Sequence, residues 1–135
     1  MDNLFVVGTD TGVGKTVLSL ALMQYLYSRH YNPFYIKPAQ TGCRDPYDAD
    51  SDARLIYRYV EELKGKDCAE SVIYCFREPK APYFAARSEG KNVEMTFLLN
   101  EITRRGAGYA PLVIEGAGGL FVPLSAQDMM IDLVA

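Results

Sequence analysis

A glycine-rich stretch near the N-terminus carries residue types that could bind nucleotide phosphates. The stretch GTDTGVGKT, residues 8–16, follows a short apolar run and precedes a segment with helical spacing. Gly12 and Gly14 can adopt positive φ, so that successive backbone N–H groups point at an anion. Lys15 can reach the β- and γ-phosphates, and the hydroxyl of Thr16 suits Mg²⁺. The pattern therefore predicts a phosphate loop between a strand and a helix.

The spacing of this loop departs from the usual phosphate-loop pattern by one residue. Counting back from Gly14, the first glycine is expected at position 9, where Thr9 stands, and the glycine lies one place earlier at Gly8. The competing interpretation is a glycine-rich turn that only starts a helix. We favour a nucleotide site, because a simple turn does not require Lys-Thr directly after the last glycine.

Carboxylates that could hold Mg²⁺ lie elsewhere in the sequence. A Mg²⁺ ion on a triphosphate usually takes one or two protein carboxylates. Glu115 is the leading candidate, since it ends a buried strand and would face a ligand crevice. Asp48, Asp50 and Asp52 are alternatives that spacing alone cannot rank, and each could be an ordinary solvated loop residue.

Lys37 ends the apolar segment FYIKP. An ammonium group in such a position is costly to bury without an anion nearby. A second cation beside Lys15 would suit phosphoryl transfer, in which negative charge spreads over several oxygens. The competing interpretation is a side chain that simply extends to water.

Strands alternate with helices along the chain. We predict strands at 4–7, 33–37, 71–76 and 111–114, and helices at 15–29, 51–63, 93–105 and from about 127. Pro38 is expected to end the second strand, Ser51 to cap the second helix, and Pro79 and Pro82 to bracket a loop. The fold class is α/β, with a parallel β-sheet flanked by helices in three α/β/α layers, as in P-loop NTPases. Residues 1–135 then form one nucleotide-binding domain.

Parallel sheets bind ligands outside the carboxyl ends of their strands. Three segments follow strands of the predicted sheet, namely 8–16, 37–41 and 115–119. We therefore expect all three segments to converge at one edge of the sheet.

The composition argues against a nucleic acid or a membrane as the partner. The 135 residues carry a net charge of −3, without the basic run typical of a nucleic-acid or membrane surface. No segment approaches the roughly 20 apolar residues of a membrane span. Cys43, Cys68 and Cys75 lack the spacing of a zinc site or a disulfide framework, so we expect a cytoplasmic protein. His30, at the expected end of the first helix, has no partner cluster that would indicate catalysis.

Several separated motifs occur in one order along the chain. They are GTDTGVGKT, KPAQTG, SDA, AP followed by EG, and EGAGGLFVPL. In order and approximate spacing they resemble the dethiobiotin synthetase family over essentially the whole chain. In that family the phosphate loop carries Thr-Asp-Thr after its first glycine, which would account for the unusual spacing.

The resemblance implies a reaction. Members of this family use MgATP to close 7,8-diaminononanoate and CO2 into dethiobiotin, with ADP and phosphate as the other products. The implied path runs through a carbamate and a carbamic-phosphoric anhydride. The implied partners are these small molecules and a second copy of the chain in a homodimer.

The resemblance also implies roles for residues. Lys15 and Lys37 would be catalytic, and Thr16, Asp52 and Glu115 would hold Mg²⁺. The residues expected around ATP and its metal are Gly12, Val13, Gly14, Lys15, Thr16, Val17, Asp52 and Glu115. The residues expected at the diamine or its carbamate are Thr11, Lys37, Thr41, Gly116, Ala117 and Gly118.

Family members are considerably longer than this sequence. We therefore expect further C-terminal strands, which would carry the residues that read the nucleotide base and much of the dimer surface. Two other functions remain open: an ATP-dependent ligase of the cobyrinic acid diamide synthase type, and a noncatalytic P-loop switch. Switches of the partition type usually have a lysine before the loop glycines, whereas this sequence has Thr9, Asp10 and Thr11 there.

Overall fold

The structure, a computed structural model, describes residues 2–9 and 14–135. Within these residues, parallel strands form one sheet in the order β1-β4-β2-β3. The strands are β1 (Leu4–Gly8), β2 (Phe34–Gln40), β3 (Val72–Cys75) and β4 (Leu112–Gly119). The α-helices are α1 (Lys15–Ser28), α2 (Asp52–Tyr59), α3 (Pro82–Ser88), α4 (Met95–Arg105) and α5 (Met130–Val134). Short 3-10 turns cover Glu61–Leu63 and Cys68–Ser71.

The sheet has a packed core on each face. Tyr35 of β2 and Val113 of β4 pack with side chains of α1 and α2 on one face. Phe34 and Ile36, which flank Tyr35 in β2, pack with α3, α4 and α5 on the other face. Side chains alternate across a strand, so a strand buried on both faces is apolar at successive positions. The predicted three-layer α/β/α architecture is confirmed.

Two strands are longer than the sequence pattern predicts. β2 continues through Pro38 to Gln40, so the prediction that Pro38 ends the strand is wrong. The register of β2 with β4 ends at Ile36, and Ala39 continues beside β3, so the missing proline N–H does not interrupt the β2–β4 ladder. β4 likewise continues past Ile114 to Gly119, which means that the segment 115–119 is strand rather than loop.

The helices also differ from the prediction in places. Ser51 caps α2 as predicted, because its Oγ accepts a hydrogen bond from the Arg54 N–H at 3.3 Å. However, α2 ends at Tyr59 because Val60 has extended backbone angles, and a 3-10 turn follows. The residues between Pro79 and Pro82 form a loop, as predicted, but a helix that was not predicted, α3, begins at Pro82. Proline is tolerated at its first position because the first N–H has no helical partner.

Across the described residues 2–9 and 14–135, none of the helices has the length and apolar character needed to cross a lipid bilayer. The longest of them, α1, has 14 residues and begins at the sheet edge where the candidate site lies. The fold thus brings the start of α1 and the ends of β2 and β4 to one edge of the sheet, as predicted.

Candidate nucleotide and cation site

A cavity of about 460 Å³ opens at the carboxyl edge of the sheet. It is bounded by the start of α1, the end of β2, the start of α2 and the end of β4. The predicted site residues that line it are Gly14, Lys15, Thr16, Val17, Lys37, Thr41, Asp52, Glu115, Ala117 and Gly118. The convergence predicted for the segments at the carboxyl ends of the strands is therefore present in the structure.

The first turn of α1 faces this cavity. Gly14 precedes the helix with φ of 90°, a left-handed conformation that favours glycine, as predicted for this position. Gly14, the N-cap residue, has no side chain that could cap the helix, so the backbone N–H groups of the first turn and the positive end of the helix dipole are suited to an anion. Lys15 is buried beside them. The predicted positions Thr11, Gly12 and Val13 lie outside the described residues.

Thr16 brings two carboxylates together. Its Oγ1 lies 2.9 Å from Oδ1 of Asp52 and 3.0 Å from Oε2 of Glu115, although 36 and 99 positions separate these residues from it along the chain. A hydroxyl has one proton, so it donates to one carboxylate at a time. The three side chains predicted to share a cation are thus in mutual contact.

Lys37 lies among these carboxylates. Its Nζ is 2.9 Å from Oδ2 of Asp52, 2.8 Å from Oε2 of Glu115 and 3.1 Å from the carbonyl oxygen of Gly116. Each of the three N–H groups of the ammonium therefore has an acceptor. Only 3% of the residue is exposed, so the alternative that Lys37 extends into water is wrong.

The charges of this cluster stabilise one another. Burial disfavours the ammonium of Lys37, but the Glu115 and Asp52 carboxylates outweigh burial and raise the lysine pKa above its ordinary value. Burial likewise disfavours the carboxylate of Asp52, yet Lys37 and the hydrogen bond from Thr16 hold the Asp52 pKa below its ordinary value. Lys37 and Asp52 are therefore both charged near neutral pH.

Tyr35 makes a contact with Glu115 that the sequence did not predict. It lies two residues before Lys37 on the same face of β2, and its hydroxyl donates to Oε1 of Glu115 at 3.1 Å. Burial and the Glu115 carboxylate raise the pKa of Tyr35 well above its ordinary value, so the phenol stays protonated. The alternation of strand side chains could have placed Tyr35 and Lys37 on one face, but not beside Glu115.

The aspartates that spacing could not rank lie in different places. Asp48 accepts hydrogen bonds from the backbone N–H groups of Asp50 and Arg44, at 3.1 and 3.2 Å, and these bonds lower its pKa. Asp50 lines the cavity, and Asp52 contacts Thr16. The carboxylate of Asp48 thus accepts hydrogen bonds from the backbone of its own loop.

Gln40 is a second residue that the sequence reasoning missed. Its Oε1 accepts from the backbone N–H of Asp52 at 3.0 Å, and its Nε2 donates to the carbonyl of Thr41 at 3.0 Å. The side chain therefore ties the start of α2 to the end of β2. Its place within KPAQTG, at a strand end, was the available signal.

The small residues after Glu115 have different environments. A Cβ added to Gly116 would meet Sδ of Met130 at 3.3 Å and the ring of Phe5 at 3.4 Å, so core packing accounts for glycine there. Gly118 has φ of 67° and lines the cavity with Ala117. Of the three positions predicted to approach a substrate, Ala117 and Gly118 line the cavity, and Gly116 packs against the core.

The donor set fits a hard divalent cation. Mg²⁺ prefers oxygen ligands, and Thr16, Asp52 and Glu115 offer a hydroxyl and two carboxylates within hydrogen-bonding distance. A cluster of three or more His, Cys, Asp or Glu side chains able to hold a metal does not occur among residues 2–9 and 14–135. The candidate site would thus depend on oxygens of its nucleotide or of water to complete the coordination.

Comparison with known proteins gives one family and a consistent set of relatives. The AAA domain family model matches residues 2–135. The ATP-dependent dethiobiotin synthetase BioD of Hydrogenobaculum sp. (strain Y04AAS1) is 38% identical over 128 residues, which cover 94% of this chain and 54% of that protein.

Two further relatives carry the same name. The protein of Anaeromyxobacter dehalogenans (strain 2CP-C) is 39% identical over 138 residues, covering 100% of this chain and 59% of the relative. That of Wolinella succinogenes is 35% identical over 136 residues, covering 98% and 62%. The chain thus spans little more than half the length of these relatives. With its parallel α/β sheet and its site at the carboxyl edge, the chain belongs to the AAA domain family and is similar to the ATP-dependent dethiobiotin synthetases.

Proposed function

We propose that this protein is an ATP-dependent dethiobiotin synthetase, a ligase of biotin synthesis. It would convert 7,8-diaminononanoate, CO2 and ATP into dethiobiotin, ADP and phosphate. The names of the similar proteins support ATP dependence and the product. The observation that carries the proposal is the contact cluster beside the first turn of α1, in which buried Lys37 and Glu115 meet half-buried Asp52 and Thr16.

The phosphates of ATP would lie at the start of α1. Gly14 and the backbone N–H groups of the first turn offer donors, and Lys15 adds a positive charge. Thr11, Gly12, Val13 and Val17 complete the proposed phosphate-binding segment. Developing negative charge in phosphoryl transfer needs such fixed positive groups.

Thr16, Asp52 and Glu115 would hold Mg²⁺. The ion would supply charge neutralisation at the transferred phosphate, which is the usual contribution of Mg²⁺ to phosphoryl transfer. Lys37 already pairs with both carboxylates, at 2.8 Å from Glu115 and 2.9 Å from Asp52, and its single charge leaves one negative charge for a cation to balance. We propose that Lys37 moves part of its hydrogen bonding to the carbamate and the γ-phosphate once ligands are bound.

The second substrate would bind next to the phosphates. Thr41, Ala117 and Gly118 line both the site cavity and a neighbouring cavity of about 440 Å³. That shared wall supports a meeting point for the two substrates. Thr41 would hydrogen-bond the diamine or its carbamate, with Thr11 and the backbone around Gly116 as further contacts.

The proposed reaction forms its bonds in three steps. An amine of the diamine attacks CO2, giving a carbamate and releasing a proton. A carbamate oxygen then attacks the γ-phosphorus of ATP, and the bond to ADP breaks. Finally the second amine attacks the carbonyl carbon, phosphate leaves, and the cyclic urea closes. Since each nucleophile belongs to a substrate, the protein needs to supply position and charge rather than a covalent nucleophile.

Two further aspects belong to this proposal. We propose a homodimer, as the resemblance implies, which equilibrium sedimentation of the purified protein would test. We also propose a cytoplasmic location, which the free thiols of Cys43, Cys68 and Cys75 support because reducing compartments keep thiols unpaired. Localisation of a tagged protein by cell fractionation would test it.

The decisive experiment follows labelled CO2. The purified protein is incubated with diaminononanoate, MgATP and ¹⁴C-labelled bicarbonate, and the product is separated by chromatography. Labelled dethiobiotin with equimolar ADP is the expected result. ADP without labelled dethiobiotin would indicate another ATP-dependent ligase, and nucleotide binding without turnover would indicate a switch; either result contradicts the proposal.

A further inference from the structure

The hydroxyl of Tyr35 has a contact that the proposed reaction does not use. Tyr35 lies on β2 with 1% of its surface exposed, and its hydroxyl is 3.1 Å from Oε1 of Glu115. The other oxygen of that carboxylate, Oε2, contacts Thr16 and Lys37. The two oxygens of Glu115 therefore have separate partners.

Separate partners determine how the carboxylate is turned. The last side-chain torsion of glutamate is broad, so an unrestrained carboxylate can exchange its two oxygens at little cost. A donor on Oε1 favours one setting, in which Oε2 points at Thr16 and Lys37. Outer contacts of this kind orient metal-binding side chains and are often needed for full metal affinity.

Strand geometry explains why Tyr35 can do this. Tyr35 and Lys37 are two positions apart on β2 and lie on the same face, while Val113 and Glu115 are two positions apart on β4. Tyr35 pairs in register with Val113. The long phenol ring therefore reaches along the strands to Glu115, and Lys37, the next residue on that face of β2, contacts the same carboxylate.

We propose that Tyr35 is a positioning residue for the cation site, where its hydroxyl holds the Glu115 carboxylate with Oε2 facing Thr16 and Lys37. This inference rests on the proposed function, since it takes Glu115 as a ligand of the cation. Tyr35 itself touches neither nucleotide nor metal in this scheme.

The alternative is that Tyr35 only fills the core. Its ring packs among buried side chains of α1 and α2, and phenylalanine would preserve that packing. Tyr35→Phe thus removes the hydroxyl and keeps the ring. Tyr57→Phe is the matched control, because Tyr57 lies in the same core and its hydroxyl contacts Ser71 at 2.6 Å rather than a carboxylate.

The test measures Mn²⁺ binding rather than activity. Mn²⁺ shares the preference of Mg²⁺ for oxygen ligands and is detected directly by electron paramagnetic resonance. The purified protein is titrated with Mn²⁺ in the presence of a non-hydrolysable ATP analogue. Metal-free affinity for the same analogue and the melting temperature are measured alongside for each variant.

We expect Tyr35→Phe to weaken Mn²⁺ binding by about 10-fold, in the range found for outer contacts of metal ligands. Tyr57→Phe should leave Mn²⁺ affinity within about 2-fold of the parent, and both variants should keep their metal-free affinity for the analogue. In turnover, Tyr35→Phe should raise the Mg²⁺ concentration for half-maximal rate while most of kcat returns at saturating Mg²⁺.

Two outcomes would overturn the inference. If Tyr35→Phe binds Mn²⁺ as the parent does while Glu115→Gln loses it, the cation assignment stands and the positioning role of Tyr35 is wrong. If Tyr35→Phe and Tyr57→Phe weaken Mn²⁺ binding equally, the effect comes from core packing. A failure of the cation assignment differs from both, because Glu115→Gln would then bind Mn²⁺ normally. A failure of the proposed reaction would appear in the labelled-CO2 assay and not in Mn²⁺ binding.

Discussion

The ammonium nitrogen of Lys37 lies 2.8 Å from Oε2 of Glu115, across two neighbouring strands and 78 positions of sequence. Both side chains are almost fully buried. A buried charge is tolerated only with close partners, and here each charge is the partner of the other. The same lysine also contacts Asp52, so two carboxylates that could hold a cation already share one positive charge.

We predict that Glu115→Gln impairs metal-dependent turnover far more than Asp48→Asn. Glu115 contacts Thr16 and Lys37 in the cavity, whereas Asp48 accepts hydrogen bonds from its own loop. The measurement is the initial rate as a function of Mg²⁺ concentration for both variants. Equal losses in the two variants would mean that the carboxylates have been wrongly assigned.

Glu115→Gln should also lower the free energy of unfolding. A carboxylate that faces a ligand crevice, as the sequence predicts for Glu115, usually contributes little to stability. In the structure Glu115 is 1% exposed, so its loss should affect folding. Removing one partner of a buried ion pair can cost about 3–5 kcal/mol, and the remaining Asp52 contact should reduce this to roughly 1–3 kcal/mol. Urea denaturation checks it, and an unchanged midpoint would contradict the predicted loss.

Arg105 offers a stability prediction away from the site. Its Nη1 lies 3.3, 2.9 and 2.9 Å from the carbonyl oxygens of Ala69, Glu70 and Val72, so it fastens α4 to the turn before β3. Arg105→Lys keeps the charge, but a shorter side chain with a single nitrogen cannot reach these carbonyls and also contact Glu101, which Nη2 of Arg105 meets at 3.5 Å. We expect a loss of about 2 kcal/mol in the free energy of unfolding, measured by urea denaturation.

The control for Arg105 is the preceding residue of α4, Arg104. Arg104 is exposed, and its side chain pairs with Glu101 at 2.6 Å. Exposed pairs contribute about 0–1 kcal/mol, so Arg104→Lys should change stability little. If Arg104→Lys destabilises the protein as much as Arg105→Lys does, the carbonyl contacts of Arg105 are not the cause.

Much of the site could be predicted because its geometry follows from local signals. Three predicted strands are each followed by a segment with polar residues, and parallel strands bring their carboxyl ends to one edge of the sheet. That rule is sufficient to bring Thr16, Lys37 and Glu115 together. The Tyr35–Glu115 contact could not be predicted in the same way, because it depends on β2 lying beside β4. Strand order is a property of the whole sheet and leaves no local pattern.

The elements that the sequence pattern predicted wrongly have identifiable physical causes. Pro38 is a strong signal for the end of a strand, but its lost N–H matters little where the β2–β4 register has already ended. Helix α3 was missed because a 7-residue segment beginning at Pro82 is too short for a clear helical period. In both cases contacts with the rest of the fold decide the structure.

The cysteines should be unreactive in the folded protein. Burial raises the pKa of the Cys43 thiol to about 12 and that of Cys75 to about 11. At pH 8.5 less than about 1% of either thiol would be thiolate, against about half in an unfolded chain. Iodoacetamide labelling followed by mass spectrometry should therefore be at least about 50-fold slower for the native protein than in denaturant. Comparable rates would contradict the burial of Cys43 and the partial burial of Cys75.

Lys37 best separates a carbamate-phosphorylating enzyme from a nucleotide switch. Its charge would be needed mainly as the phosphoryl group transfers, whereas Lys15 would also hold ATP in the ground state. Lys37→Gln should lower kcat by about 10² or more and change nucleotide affinity much less. Lys15→Gln should impair both. Isotope-traced turnover and titration with an ATP analogue measure the two quantities for each variant.

Lys37→Arg should fail to restore the rate of Lys37→Gln. The Lys37 ammonium is 3% exposed and meets acceptors on Asp52, Glu115 and Gly116 at 2.8–3.1 Å. A guanidinium is planar and larger, so it cannot direct three donors to these acceptors from the same place. If Lys37→Gln turns over at the parent rate, Lys37 serves only as a buried counterion, and the mechanism with two lysines is wrong.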